Sequence, residues 1–146
     1  MKRFYEQHVP HLPERMFDIV ADLADYPRFI PNCQAMQVRP DPSAKDDTRL
    51  AKMTIAFGPI TQSYTSRVTL DRVARTIRAK AVDGPFAYLD SVWSFEPEGQ
   101  GTRVRFEIDF KISNPLIAAV AEPAFAAKQE EIMRAFCDEA DRRFGA

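Results

Sequence analysis

The chain has 146 residues, a formal net charge of −1 and a hydrophobic content of 45%. That length fits one domain, residues 1–146, and a chain of this size buries roughly 68–70% of its unfolded surface, enough for a real core. The low net charge and the eleven Phe, four Tyr and one Trp exclude a disordered chain, and no global basic field recruits nucleic acid or anionic lipid.

Two cysteines, Cys33 and Cys137, are too few for a disulfide scaffold or a zinc site and lack CxxC spacing, so buried free thiols are expected. Met1 to Val9 alternates without the apolar core of a signal peptide. The most apolar run, Leu116 to Ala127, is interrupted by Glu122 and Pro123 and falls short of the roughly 20 residues a bilayer requires. A soluble, intracellular protein is the expectation.

Eleven prolines against five glycines punctuate the chain. Lys2 to Val9 reads as a first strand. Pro13 stands at the first position of a helix over Glu14 to Asp22, with Met16, Phe17, Val20 and Ala21 on one face. Asp25 is expected to cap a second short helix through Pro27 to Ile30, which Pro31 stops.

From Gln34 to Ile112 the period becomes two, over about six strands. Ala51, Met53, Ile55 and Phe57 alternate with polar neighbours, and Gly58-Pro59 marks a turn. Ile60 to Asp71 follows, with Tyr64, Ser66, Val68 and Leu70 on one face, then Thr76 to Val82. Tyr88 to Glu96 presents Leu89, Ser91, Trp93 and Phe95, and Pro97 to Gly101 turns the chain. Thr102 to Ile112 alternates with Val104, Phe106, Ile108, Phe110 and Ile112 inward and charges outward, the pattern of an antiparallel sheet with one wet face.

Asn114-Pro115 opens a long terminal helix whose apolar stripe includes Leu116, Ile117, Val120, Phe125, Phe136 and Phe144. Pro123 lies inside it and predicts a break. This order is an α+β pattern, a curved antiparallel sheet of about six to seven strands around a long C-terminal helix, with the natural ligand space between them.

No GxSxG, GxxxxGK[ST], HExxH or GxGxxG motif occurs. His8 and His11 have no third ligand in view, so no metal is expected. Arg67, Arg72, Arg75, Arg78 and Lys80 cluster around one hairpin with Asp71 the only acid. Protection of a sheet edge is the simplest role for them, and contact with an anionic partner the sharper one. Polar Gln62, Tyr64, Ser66 and Ser91 share inner faces with Val68, Trp93 and Phe95, as the wall of a pocket would.

Two segments carry a family likeness. Phe17-Asp18-Ile19-Val20-Ala21-Asp22 followed by Tyr26-Pro27-Arg28-Phe29-Ile30-Pro31-Asn32-Cys33 resembles the F-D-x-V-x-D…Y-P-x-F-[LI]-P-x-C signature of the coenzyme Q-binding protein family. Gly84-Pro85-Phe86-Ala87-Tyr88-Leu89 with Trp93-Ser94-Phe95 is similar to that family's G-P-F-x-x-L-x-x-x-W-x-F segment, and Ala135-Phe136 also fits. These are small START-like proteins grouped with the polyketide cyclase and lipid-transport superfamily.

The resemblance implies a helix-grip fold and an apolar tunnel that binds ubiquinone or another polyisoprenoid quinone without catalysis or a cofactor. It also implies a bacterial, cytoplasmic member with peripheral contact at the inner membrane. By strand parity the cavity-lining residues are Met53, Ile55, Phe57, Tyr64, Ser66, Val68, Leu89, Ser91, Trp93, Phe95, Phe106, Ile108 and Phe110, joined by Val120 and Phe125 from the helix. Ribosome-associating toxin relatives imply an alternative partner, the ribosomal large subunit, reached through the basic hairpin. A cyclase or dehydratase needs acid–base groups in the cavity, and none of the inner positions supplies an Asp or Glu.

Overall fold

The computed structural model describes residues 1–57 and 59–145. In chain order it comprises β1 (Lys2–Val9), α1 (Pro13–Ala21), a 3₁₀ turn (Leu23–Asp25), α2 (Tyr26–Phe29), β2 (Cys33–Pro40), β3 (Thr48–Phe57), β4 (Ile60–Asp71), β5 (Thr76–Ala81), β6 (Phe86–Glu98), β7 (Gly101–Ile112) and α3 (Pro115–Phe144). The strands form one curved antiparallel sheet in the order β1-β7-β6-β5-β4-β3-β2. β2 to β7 therefore run as a meander, and β1 returns to the far side of β7.

Strand parity holds across this sheet. Met53 lies opposite Tyr64, Ile77 opposite Trp93, and Trp93 opposite Phe106, so the inner residues of adjacent strands share one surface. The boundaries shift modestly: Pro97 remains in β6 opposite Thr102, and the turn contracts to Gly99-Gln100. The Gly58-Pro59 turn falls partly on Gly58, which lies outside the described residues.

Three expectations are corrected. The basic β4–β5 hairpin occupies the middle of the sheet, so it protects no edge. Asp25 makes no capping hydrogen bond to α2; its carboxylate accepts instead from Arg28 at 2.9 Å and Arg143 at 2.6 Å. The terminal helix runs unbroken through Pro123. Pro123 and Ala119 both face solvent, so the carbonyl that loses its amide partner is accessible to water rather than buried.

The inner surface packs on α1 and α3. Phe17 of α1 meets Phe95 edge-on with centroids 5.9 Å apart. From α3, Phe125 sits 4.8 Å from Phe110 and 5.3 Å from Phe86, while Phe136 sits 5.1 Å from Trp93 and 5.2 Å from Tyr26. The apolar stripe of α3 is shorter than its sequence suggests. Leu116, Ile117 and Val120 are exposed, and the first buried helix residue is Ala121. Asn114 caps the helix, accepting from the backbone of Leu116 at 2.9 Å, as its N-cap position predicts.

Charge fixes the other end of α3. Glu139 is buried, and its carboxylate accepts hydrogen bonds from Arg28, from Arg142 at 2.7 Å and from Arg143 at 2.6 Å. His11 Nε2 pairs with Asp141 at 2.7 Å, which ties the β1–α1 connection to the same helix end. Cys33 and Cys137 are free and buried, as their spacing suggests. Burial raises both thiols, Cys137 to about 11.

The hydrogen bonds from Arg142, Arg143 and Arg28 hold Glu139 well below the usual carboxylate range, and Arg28 lowers Asp25 in the same way. Carboxyls depressed on folding stabilise the protein above their unfolded values near pH 4 and lose that contribution as pH falls further. Glu139→Gln should therefore cost about 3 kcal/mol at neutral pH and flatten the loss of stability below about pH 4, as read by urea melts across pH.

Gly84 has φ +96° and precedes Pro85 at the start of β6, and a Cβ there would lie 2.5 Å from Tyr64 Cβ. Gly84→Ala combines that clash with left-handed strain and should cost about 1–3 kcal/mol or more. Gly99→Ala, where φ is +60° and a Cβ meets nothing within 4 Å, carries the backbone strain alone and should cost less. Parallel thermal melts of the two variants check this order.

Candidate ligand-binding cavity

Small side chains in the middle of the inner surface leave the sheet and helix apart. Ala51 lies opposite Ser66, and Ala79 lies opposite both Val68 and Ser91. Large residues stand around this trough: Trp93 and Phe106 stack with centroids 4.4 Å apart, and Phe136 descends on Trp93 from α3. The result is a cavity of about 110 Å³ between α3 and the sheet, lined by β3–β7 and by Met36 of β2 and bordered on one flank by Leu23, Tyr26 and Ile30.

Of the residues assigned by parity, Met53, Ile55, Tyr64, Ser66, Val68, Leu89, Ser91, Trp93, Phe106 and Ile108 line this space. Phe95, Phe110 and Phe125 do not. They are buried, but their rings pack against Phe17, Phe86 and each other and fill the ends of the concavity. Val120 is a correction of another kind: it is 57% exposed on the solvent side of the first turns of α3, while its neighbour Ala121 takes the buried side. The Phe57 side chain lies outside the described residues.

The strand pattern missed other lining residues for identifiable reasons. Ala51, Ile77 and Ala79 satisfy the same parity but look too small or too ordinary to single out. Leu23, Tyr26 and Ile30 come from non-strand segments, where no period of two applies. Gln129 carried a readable signal, because it is a polar residue at the i+4 position from Phe125 on the buried stripe.

The lining is apolar with a few polar atoms and, among the described residues, contains no Asp, Glu, His, Lys or Arg. Gln129 is buried and donates one N–H to the Phe125 carbonyl at 3.2 Å, leaving its amide oxygen and second N–H for the cavity side. Among the described residues the Tyr64 hydroxyl has only the Met53 thioether at 3.7 Å, a weak acceptor. Ser66 and Ser91 line the space with no side-chain hydrogen bond to another described residue. Tyr26 donates to the Val20 carbonyl, and burial raises both tyrosines far above their ordinary value, so they remain neutral donors.

The basic hairpin serves α1. Arg72 bonds Asp18 at 2.7 Å and lies 4.5 Å over the Phe17 ring, while Arg75 faces Glu14 at 3.5 Å. Arg67 is taken by the buried carboxylate of Asp41 at 3.0 Å. Arg78 and Lys80 have no acid partner among the described residues. His8 pairs with Glu98 and His11 with Asp141, and the described residues hold no cluster of metal-ligating side chains. Among them no helix is long and apolar enough to cross a membrane.

Comparison with known proteins agrees with this geometry. The family model for polyketide cyclase / dehydrase and lipid transport matches residues 9–137. The chain is 30% identical to the ribosome association toxin RatA of Rickettsia prowazekii, over 88% of each chain. It is also 30% identical to the mitochondrial coenzyme Q-binding protein coq10 of Schizosaccharomyces pombe, over 90% of this chain and 82% of that one. The solution structure of the 18 kDa protein CC1736 from Caulobacter crescentus superposes with a TM-score of 0.81 at 27% identity, covering 100% of this chain and 99% of the other. The chain belongs to the polyketide cyclase / dehydrase and lipid transport family.

Proposed function

We propose that the protein binds a polyisoprenoid quinone of the ubiquinone type between its sheet and α3, and that it does so without chemical conversion of the ligand. The observation that carries this reading is an apolar cavity supplied with hydroxyl and amide groups at Ser66, Ser91, Tyr64 and Gln129 but with no strong acid or base. A quinone head has carbonyl acceptors for such donors, and each methylene of its tail gains about 0.8 kcal/mol on burial. Acid–base catalysis in the manner of a cyclase needs a group that changes protonation near neutral pH, and the raised tyrosines do not. The similarity to the Schizosaccharomyces pombe protein supports the same ligand class.

At about 110 Å³ the cavity is smaller than the roughly 300–1,000 Å³ of common ligand pockets. A polyprenyl tail therefore requires the helix and sheet to separate further. The exposed Leu116, Ile117 and Val120 give peripheral membrane contact an apolar surface on the same helix.

A second reading, association with the ribosome, is favoured by the Rickettsia prowazekii relative and by exposed cations without acid partners on the outer sheet face. Co-sedimentation with ribosomal large subunits supports that reading, and its absence at low salt removes it.

Trp93, the single tryptophan, lines the cavity and reports directly on its occupant. Titration with a short-chain ubiquinone should quench its fluorescence saturably, and Ala79→Leu or Ser91→Leu, which fill the trough, should weaken binding by tenfold or more. Absence of saturable quenching, together with no quinone in the solvent extract of gently purified protein, would overturn the quinone reading.

A further inference from the structure

The outer face of the sheet, turned away from α3, is divided by charge. On the β6–β7–β1 side, cations and acids alternate and the arginines pair: Arg105 bonds Glu6 at 2.8 Å and faces Glu96 at 3.4 Å, and Arg103 bonds Glu6 and Glu98. Among the described residues Lys2 stands in register with Asp109 without an ion pair, and Lys111 forms none. On the β2–β5 side this compensation stops. The register sets Arg39 beside Leu50, Leu50 beside Arg67 and Arg67 beside Lys80, a row across four strands. Lys52 lies beside Gln37 and Thr65, and Arg78 beside Thr69.

Among the described residues only Arg67 of this set has an acid partner, Asp41; Arg39, Lys52, Arg78 and Lys80 are exposed and form no ion pair there. Asp90 stands in register with Lys80 without bonding to it. Like charges directly opposite on neighbouring strands, as at Arg67 and Lys80, destabilise a sheet. An anion laid across the face would relieve that repulsion.

One place on this face has the shape as well as the charge. Gln37, Val38, Arg39, Leu50, Lys52 and Thr65 line a depression of about 170 Å³, Val38 and Leu50 supplying the apolar part of its wall. A guanidinium, an ammonium, an amide and a hydroxyl converge there, all able to donate to the acceptor-only oxygens of a phosphate diester. Adjacent strands lie about 4.8 Å apart, so the remaining cations form a rigid grid beside it.

We propose that the outer face of β2–β5 binds the phosphate backbone of double-helical RNA, with the depression between Arg39 and Lys52 taking one phosphate. The choice of RNA rests on the ribosome-association reading and on the chemistry of the face. It bears no aromatic side chain among Gln37–Arg39, Leu50–Thr54, Thr65–Thr69 and Arg78–Lys80, so it has no platform for stacking unpaired bases. The exposed apolar cluster that a membrane contact would use, Leu116, Ile117 and Val120, lies on α3, while Val82, two residues beyond Lys80, is a single exposed apolar residue near the cations. The surface reads backbone charge rather than sequence.

The test is fluorescence anisotropy with labelled RNA duplexes of roughly 16–20 base pairs in two unrelated sequences. Four phosphate contacts predict equal affinity for both duplexes and a fall of about 100-fold between about 50 and 200 mM salt. Arg39→Gln, Lys52→Gln and Lys80→Gln should each weaken binding to both duplexes and lower the slope of log affinity against log salt by about one. Arg72→Gln, at the hairpin tip, should leave binding unchanged. Unaltered thermal melting excludes loss of folding as the cause.

No duplex binding at low salt, or equal loss with Arg72→Gln, would overturn the proposal. So would preferential binding to phosphatidylserine vesicles that the same three substitutions abolish. Large-subunit co-sedimentation that persists in the triple variant leaves ribosome association intact and overturns this face. Duplex binding without co-sedimentation supports the face and removes the ribosome.

Discussion

Phe136 touches Trp93 on the sheet and Tyr26 at the start of α2, and this three-ring contact limits how far α3 can sink into the curved sheet. Aromatic rings are incompressible spacers at these separations. Beneath them the inner surface is built from Ala51, Ser66, Ala79 and Ser91, which are too short to reach the helix. A void between rigid walls is the consequence. The cavity is therefore a product of packing rather than of any residue that defines it chemically, and its few polar groups matter because the described residues engage Gln129 only in part and the Tyr64 hydroxyl only through the Met53 thioether.

The same helix is held unequally along its length. Its C-terminal half is tied by Glu139 to Arg28, by Asp141 to His11 and by Phe136 to two neighbours. Its first turns are held by the Asn114 cap and by Glu122, which accepts from the Ile112 amide at 2.9 Å, while Leu116 and Val120 face water. Any separation of helix from sheet that admits a longer ligand meets least resistance at the N-terminal end. Pro123 does not act there as a hinge, because the helix passes through it on its solvent side.

Charge is segregated as sharply as polarity. The concave side contributes no ionisable acid or base of ordinary strength to the cavity, whereas the convex side collects the unpaired cations of β2–β5. An apolar ligand inside and a polyanion outside would occupy opposite surfaces of one sheet. The two could be bound together, since neither shares a side chain with the other.

Much of this was legible in the residues alone. The alternation of Val104, Phe106, Ile108, Phe110 and Ile112, the Pro and Gly punctuation and the Asn114-Pro115 start determined the order of elements, because each depends on local backbone geometry and on a period of two or 3.6 residues. Strand parity likewise determined which side of each strand faces inward. It did not decide which inward residues border empty space. Phe95, Phe110 and Phe125 share the parity of Trp93 yet fill the ends of the concavity, because rings from α1 and β6 arrive there from distant parts of the chain. Nor did it decide the role of the basic hairpin, whose Arg72 and Arg75 are claimed by Asp18 and Glu14 once α1 packs beside them. Local pattern settles what each element is and which way it faces; long-range packing and charge pairing, which no window of sequence contains, decide what is left open for a ligand or a partner.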